Sequence, residues 1–183
     1  PASNKGPRAL LPVLPHSSFL IRPSSFVLPM PLPLATAREI TEEKLKTLRP
    51  ETQRKARAWL AACEAAGLLI YIYEGHRTCQ RQAELYKKGR TTKGPKVTNA
   101  GPGQSMHQYK LAFDFVPLVP AKAAGMFQAV WDLPGETKLY NQAHALAAKH
   151  GLRRLTWETP HLEDASFKNW QAARAAFGDP CRP

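Results

Sequence analysis

The stretch Ser105-Met106-His107-Gln108-Tyr109-Lys110-Leu111-Ala112-Phe113-Asp114-Phe115 holds a histidine and an aspartate seven positions apart. The aspartate lies inside a short apolar run, residues 111–119, which has the length and composition of a buried β-strand. A carboxylate in such a run carries a large desolvation cost unless a cation or hydrogen-bond donors meet it. We therefore predict that Asp114 is buried beside such a partner, and that the chain is organised around this strand.

A second histidine follows downstream, in the segment Trp157-Glu158-Thr159-Pro160-His161-Leu162-Glu163. Two neutral imidazoles and one carboxylate form a common catalytic zinc shell, with a fourth position left for water. Taken singly, each of these three side chains is better explained as a packed or hydrogen-bonded structural residue. The combination favours a catalytic site, because Glu158 lies three residues before His161 and a carboxylate there can move a proton.

Length and composition place the chain among ordinary globular proteins with one core. Its 183 residues are 43% hydrophobic and 22% charged, which is typical of that class. Lysine and arginine number 26 against 14 acidic residues, so the net charge is +12. This surplus favours polyanionic surroundings such as nucleic acid, anionic lipid or a bacterial wall. A solvated basic surface explains the charge equally well.

The three cysteines, Cys63, Cys79 and Cys181, are too few and too scattered for a disulfide framework. No Cys-x-x-Cys pair supports a thiolate zinc site. Cys63 lies in an alanine-rich helical pattern, which predicts a small buried hydrophobic residue. Spacing leaves open whether any two of the cysteines pair.

Residues 1–34 differ from the rest of the chain, since they hold eight of the 17 prolines and no acidic residue. Proline at that density forbids a continuous helix, so the apolar residues here form neither a membrane span nor a standard signal-peptide core. We interpret residues 1–34 as a Pro-rich arm that is disordered, extended or not native. Residues 35–183 are assigned to one domain.

The remaining elements mix without a repeating βαβ rhythm, which favours an α+β fold. We expect a small, mostly antiparallel sheet flanked by helices, with the metal site at the sheet edge. Thr41 is the predicted cap of the first helix, and Thr78 is the predicted cap of the third. The predicted helices begin near 41 and span 51–66, 78–88, 136–150 and 166–177; the predicted strands are 68–73, 111–119 and 152–156, and a long loop covers 89–104.

Several motifs occur in a fixed order over about a hundred residues. They are Gly75-His76-Arg77-Thr78 with Gln82 and Leu85-Tyr86, Gly89-Arg90-Thr91, Val97-Thr98-Asn99-Ala100, Ser105-x-His107 with Ala112-x-Asp114, and Glu158-x-x-His161. In this order the chain resembles the zinc peptidases that include VanY-type D-Ala-D-Ala carboxypeptidases and the L-alanyl-D-glutamate endopeptidases of phage lysins and spore-cortex enzymes. The resemblance covers residues 48–161.

The resemblance implies a set of site residues at the matching positions. They are the zinc ligands His107, Asp114 and His161, the general base Glu158, the oxyanion-stabilising Arg77, and Ser105 and Gln82 as weaker candidates for substrate binding or support. The chain departs from the family pattern at Gln108 and Lys110, where the family usually has asparagine and glycine. It also lacks the Gly-Gly-Asp-Trp segment that often precedes the second histidine, so the loop before His161 is shorter.

The Gly-Arg-Thr and Val-Thr-Asn-Ala motifs resemble the endopeptidase branch, which implies endolysin-like, bacteriolytic cleavage of the L-Ala–D-Glu bond. The alternatives are a D-Ala-D-Ala carboxypeptidase or dipeptidase, and a non-catalytic zinc-stabilised module that binds the cell wall. The expected partners are the peptidoglycan stem peptide and the anionic wall. We expect a monomer that binds no nucleic acid, has no membrane span, and acts in the periplasm or outside the cell after export through a holin or another route.

Overall fold

Five α-helices and a six-stranded antiparallel sheet make up the computed structural model, which describes residues 31–131 and 137–182. In chain order the elements are β1 (Leu32–Pro33), α1 (Leu34–Lys46), α2 (Pro50–Ala65), β2 (Leu69–Glu74), α3 (Cys79–Lys87), a 3-10 helix (Met106–Tyr109), β3 (Ala112–Pro120), β4 (Met126–Ala129), α4 (Thr137–Lys149), β5 (Leu152–Leu155), β6 (Glu158–Asp164) and α5 (Trp170–Phe177). The predicted α+β class with an antiparallel sheet is confirmed.

Strand β3 is the centre of the sheet, because three other strands pair with it directly. Strand β2 runs along one side of β3, and β6 and β4 pair with successive parts of the other side. In this register Asp114 lies opposite Glu74 of β2 and opposite His161 of β6. The strand predicted around Asp114 therefore brings together segments that are about 40 and 47 residues away in sequence.

The core between the sheet and the helices is built around Trp59 of α2. Its ring lies 5.5 Å from that of Phe113 and 5.0 Å from that of Phe115, centroid to centroid. Its indole Nε1–H donates to the carbonyl of Ala143 in α4 at 2.8 Å, so the buried polar atom is satisfied. Burial of each such ring contributes about 2–3 kcal/mol of transfer free energy, and this packing holds β3 against α2 and α4.

Two predicted helix starts are wrong. Helix α1 begins at Leu34, and Thr41 lies buried in its middle, where its Oγ1 accepts a hydrogen bond from the backbone N–H of Ile72 at 3.1 Å. The hydroxyl thus serves a tertiary contact with β2 instead of a cap. Helix α5 begins at Trp170, not near 166, because the side chain of Asn169 caps it by accepting from the N–H of Ala172 at 3.0 Å. The cap predicted at Thr78 is confirmed.

The N-terminal arm predicted for residues 1–34 lies mostly outside the described residues, which begin at 31. Its last residues are described, and Leu32–Pro33 pairs with β4 as strand β1. The described residues therefore include four that precede the predicted boundary at residue 35, namely residues 31–34. Within residues 31–131 and 137–182, no helix combines the length and apolar character that a membrane span needs.

Two of the cysteines form a disulfide, a pairing that sequence spacing left open. Cys79, the first residue of α3, is bonded to Cys181 near the C-terminus, 102 positions away. Cys63 is a free, fully buried thiol in α2, as its helical pattern predicted. Burial raises the pKa of the Cys63 thiol to about 12, so it remains protonated and unreactive at neutral pH.

Candidate metal centre and active site

Three ligand atoms from separate elements converge at the margin of the sheet where β3 begins. His107 Nε2 lies 3.1 Å from Asp114 Oδ1, His161 Nδ1 lies 3.2 Å from the same oxygen, and the two nitrogens are 3.2 Å apart. All three side chains are buried. The cluster expected from the sequence is therefore assembled in space, and its atoms could hold one metal ion.

The hydrogen bonds on the far side of each imidazole define the ring tautomers. His107 Nδ1 lies 2.7 Å from the carbonyl oxygen of Gly75, which can only accept, so this nitrogen carries the proton. His161 Nε2 lies 3.2 Å from Glu163 Oε2 and donates to that carboxylate. In the neutral rings, the other two nitrogens direct lone pairs at the charged oxygen of Asp114. Three lone pairs facing one another require a cation between them.

The triangle also has the dimensions of a zinc shell. Four-coordinate zinc with bonds of about 2.0–2.1 Å places neighbouring ligand atoms about 3.3 Å apart. The separations of 3.1–3.2 Å agree with this value. Two nitrogens and one carboxylate oxygen are also a donor set that zinc favours in catalytic sites, where a fourth position stays open. The residues present fit the metal.

The electrostatics of the cluster lead to the same requirement for positive charge. Burial acts to raise the pKa of Asp114, but the charge and hydrogen bond of His107, the hydrogen bond of His161 and the charge of Arg77 hold it well below its usual range. Burial lowers the pKa of His161, but hydrogen bonds with Asp114 and Glu163 outweigh burial and raise it to about 10. Asp114 is thus a carboxylate that demands a cation, either a proton on His161 or a metal ion.

Gly75 and the residues after it lie directly against the His107 turn. A β-carbon on Gly75 would lie 2.7 Å from the carbonyl oxygen of Lys44, so only glycine fits here. The carbonyl of Gly75 accepts from His107, and the backbone N–H of Arg77 donates to the carbonyl of His107 at 3.4 Å. The Gly-His-Arg-Thr motif therefore positions the imidazole of His107 and also supplies Arg77.

Arg77 is buried and surrounded by acceptors. It forms a two-pronged ion pair with Glu74, donates from Nη2 to Asp114 Oδ2 at 3.1 Å, and donates from Nη1 to Gln82 Oε1 at 3.1 Å. Burial lowers the pKa of Arg77, but Glu74 and Asp114 outweigh it and raise this pKa further. Among the described residues these contacts use four of the five guanidinium N–H groups, which leaves one on Nη1 for another acceptor.

Glu158 and Ser105 line the same cavity of about 360 Å³ as the three ligands and Arg77. Glu158 is half-buried at the start of β6, and its charge acts on both His161 and Arg77. Gln82, by contrast, does not line the cavity. It is fully buried, and it donates to the carbonyl of Ala100 at 2.7 Å while accepting from Arg77. Of the two roles expected for Gln82, substrate binding or support, these contacts are those of a supporting residue.

Two acidic residues of the site were missed by the sequence interpretation. Glu163 accepts from His161 and is paired with Arg153, and Glu74 holds Arg77. The alternation of side chains along a strand was a usable signal for the first, because residues two apart on β6 share a face. Glu74 had no such local signal, since its contact depends on the turn that follows β2.

Lys110 ends the 3-10 helix in the left-handed conformation, with φ 61° and ψ 32°. Among the described residues it is the one non-glycine residue with positive φ. Its N–H donates to the carbonyl of His107 at 3.1 Å, and its own carbonyl accepts from the N–H of Arg49 at 3.0 Å. The loop shape that a glycine would allow is thus kept although a lysine occupies the position.

Comparisons with known proteins agree with this geometry. The family model described as VanY, D-alanyl-D-alanine carboxypeptidase, matches residues 45–171. The peptidoglycan L-alanyl-D-glutamate endopeptidase CwlK of Bacillus subtilis (strain 168) is 47% identical over 68 residues, which cover 37% of this chain and 41% of that protein. The aligned part thus spans less than half of that relative.

Two solved structures are similar in shape. The LD-carboxypeptidase LdcB superimposes with a TM-score of 0.50 and 20% identity, over 70% of this chain and 62% of that one. The L-Ala D-Glu endopeptidase ChiX of Serratia marcescens gives a TM-score of 0.44 and 19% identity, over 68% of this chain and 85% of that one. The similarity to LdcB supports a shared fold.

Proposed function

The chain belongs to the VanY family, and on that premise we propose that it is a zinc-dependent peptidoglycan hydrolase that cleaves the L-alanyl–D-glutamate bond of the stem peptide. The observation that carries the proposal is the convergence of His107, Asp114 and His161 at 3.1–3.2 Å. Glu158 and Arg77 line the cavity into which this cluster opens. A zinc ion held by these three ligands supplies Lewis acidity toward water and the scissile carbonyl.

The residues around the cluster supply the remaining chemistry. Glu158 is placed to accept a proton from the attacking water and to return it to the departing amine. Arg77 keeps one Nη1 N–H available for the oxygen of the scissile carbonyl as negative charge develops there. Its other contacts hold Asp114 as a charged ligand. Ser105, at the cavity wall before the 3-10 helix, makes no capping hydrogen bond with its hydroxyl, which leaves that group for the substrate backbone.

The choice of bond is supported by the relationship to CwlK. That protein is named as an L-alanyl-D-glutamate endopeptidase and shares 47% identity with the aligned part of this chain. A D-Ala-D-Ala carboxypeptidase is the second candidate, because the family model carries that description. It needs a cation for the terminal carboxylate of its substrate, and Arg81 and Lys168 line the cavity and are exposed enough to provide one.

We further propose that the protein acts on the cell wall as a bacteriolytic, endolysin-like monomer. The net charge of +12 favours approach to an anionic wall. The exposed cations at the end of α3 and in the loop after it, Lys87, Arg90, Lys93 and Lys96, extend this basic surface to the cavity rim formed by residues 97–100.

The test is mass spectrometry of purified sacculi digested with and without a zinc chelator. New amino groups on D-glutamate are expected, and the chelator should abolish them. Loss of terminal D-alanine would instead establish the carboxypeptidase, and zinc binding without product would establish a binding module.

The variant Glu158→Ala should bind zinc with unchanged stoichiometry and should lose about 10²–10⁴-fold in rate. Glu43→Ala is the matched control, because Glu43 is an exposed carboxylate paired with Lys46 at 2.6 Å. Lysis by Glu158→Ala at the rate of this control would contradict the assigned role.

A further inference from the structure

The disulfide between Cys79 and Cys181 lies directly beside the residues that carry the candidate site. Cys79 follows Arg77 by two positions and begins α3. On the other side, Gln108 is the chain neighbour of His107, and its Nε2 lies 3.0 Å from each of the two sulfurs. No step of the proposed reaction uses these groups, so their position next to an imidazole ligand and an arginine of the site needs another explanation.

Gln108 connects the disulfide to the backbone around the 3-10 helix. Its side chain is buried, and its Oε1 accepts from the N–H of Gly103 at 2.8 Å. The hydroxyl of Tyr109 donates to the carbonyl of the same Gly103 at 2.8 Å. Two successive residues after His107 are therefore fastened to one turn, and one of them also contacts the disulfide. Displacement of the sulfurs would be transmitted to the turn that presents the imidazole.

The disulfide also fastens the C-terminal segment over the 3-10 helix. The N–H of Cys181 donates to Asp179 Oδ1 at 3.0 Å, and Asp179 is paired with Arg174 of α5 at 2.9 Å. On the inner face of α5, Ala173 packs in a small apolar cluster with Met106 of the 3-10 helix. The helix that carries His107 thus has α5 on one side and the disulfide at its end.

We propose that the Cys79–Cys181 disulfide and Gln108 are positioning elements for His107 and Arg77, and that the metal centre reaches full affinity and activity only when the bond is formed. For its activity readout the inference rests on the proposed function. Without the bond the two sulfurs can separate, so the amide of Gln108 no longer contacts both of them. The C-terminal segment is also released from α3. Arg77 and His107 then lose the contacts that position both of them.

This arrangement links the site to the redox state of its surroundings. Formation of the bond removes two electrons and two protons from the two thiols and transfers them to a disulfide oxidant, which is released as two thiols. Reducing compartments keep such cysteines as thiols, and secretory compartments or the periplasm allow the bond. The protein is therefore expected to bind zinc weakly where it would damage its producer and to become active after reaching an oxidising compartment.

The experiment compares two variants with two controls. Cys79→Ser with Cys181→Ser removes the bond, and Gln108→Leu keeps the bond but removes the contacts of the amide. The controls are Cys63→Ala, which removes the free thiol in α2, and Gln53→Leu, which removes a glutamine–backbone hydrogen bond of 2.9 Å between residues that do not line the cavity. The dissociation constant for zinc is measured by competition with a chromophoric chelator, alongside kcat and KM on purified sacculi, at a temperature where circular dichroism shows each protein to be folded.

Both test variants should bind zinc about 10–100-fold more weakly and lose kcat by a similar factor with little change in KM, as for other residues that orient metal ligands. The controls should stay within about twofold of the wild type. Wild-type protein reduced by a phosphine should show the same loss and should recover after oxidation with oxidised glutathione. If the double serine variant does not fold, this reversible reduction and oxidation of the wild type is the test.

Zinc affinity and kcat within about twofold of the wild type, in a folded double serine variant or in reduced wild type, would overturn the proposal. If Gln53→Leu weakens zinc binding as much as Gln108→Leu does, the proposal is also overturned, because the loss would then be a general effect of removing a glutamine hydrogen bond. If the oxidised wild type releases no wall fragments, the proposed function fails. The zinc affinities still decide the positioning role in that case.

Discussion

Replacement of Glu163 tests whether the tautomer of His161 is set by the carboxylate behind it. Glu163 Oε2 lies 3.2 Å from His161 Nε2, and its Oε1 accepts from Arg153 Nε at 3.1 Å. Burial raises the pKa of Glu163, but the hydrogen bond and charge of His161 and the pairing with Arg153 outweigh burial and lower it. The residue is therefore an anion that both orients the ring and increases the basicity of its metal-facing nitrogen.

The expected magnitude follows from what each variant retains. In Glu163→Gln one side-chain oxygen remains, so it can accept a hydrogen bond from either His161 or Arg153. The second acceptor oxygen and the negative charge are both lost. We expect zinc affinity to fall about tenfold, or about 1.4 kcal/mol, at the lower end of the range for such partners. In Glu163→Ala both acceptors are lost and the ring is free to turn, so a loss near 100-fold, or about 2.7 kcal/mol, is expected.

Zinc affinity is measured by chelator competition, and the rate on purified sacculi is measured with saturating zinc. Glu43→Gln and Glu43→Ala are the controls, because this exposed carboxylate pairs with Lys46 and lies outside the cavity. The affinity for zinc should be lower in Glu163→Ala than in Glu163→Gln. The reasoning is refuted if both Glu163 variants bind zinc as tightly as the Glu43 controls.

Three further predictions concern stability and substrate binding. Asp164→Asn should lower the free energy of unfolding by about 3 kcal/mol at pH 7, because it breaks a buried pair with Lys55 at 2.6 Å. Burial raises the pKa of Asp164, but Lys55 and its other partners lower it overall. The contribution of this pair to the free energy of unfolding is therefore fully present above about pH 4 and is lost as the pH falls through the lowered pKa of Asp164. Urea unfolding of the wild type from pH 7 to 2 should show this loss at acidic pH, and urea unfolding of Asp164→Asn should not. Lys110→Gly should raise the free energy of unfolding by about 0.5–1 kcal/mol in urea titrations, because it relieves a left-handed residue at φ 61°. Trp157→Ala should leave the melting temperature unchanged and raise KM on sacculi about three- to tenfold, because this cavity-lining ring is 69% exposed; an unchanged KM would exclude a substrate contact.

The parts of the fold that the sequence predicted are those set by local pattern. The apolar run around Asp114, the helix between Pro50 and Ala65, and the cap at Thr78 each depend on residues within one element. Thr41 misled the interpretation because a threonine before two glutamates has the pattern of a cap, whereas a strand distant in sequence uses its hydroxyl. The short strand β4 has no alternation over its four residues and gave no signal.

The cluster of candidate metal ligands could be predicted because its residue types restrict the chemistry, but its supporting contacts could not. Gln82 was predicted only as a weaker candidate for substrate binding or support, and its amide joins Arg77 to the carbonyl of Ala100. The partner of Cys79 lies 102 positions away, and no local pattern encodes a closure of that length. Such contacts depend on how α3, the loop before the 3-10 helix and the C-terminal segment pack together, and none of these residues lies in a strand whose pattern could be read.

Charge around the candidate metal site favours a cation at the centre of a strongly basic protein. The carboxylates that surround the cluster or line its cavity are Asp114, Glu74, Glu158 and Glu163, and the guanidinium groups that pair with them are those of Arg77 and Arg153. Of the buried groups, Asp114 and Glu163 carry two negative charges against one on Arg77, while the more exposed Arg81 and Lys168 also line the cavity. In a buried site an excess of this size is unfavourable by several kcal/mol unless it is compensated. A cation held by His107, Asp114 and His161 would compensate this buried excess.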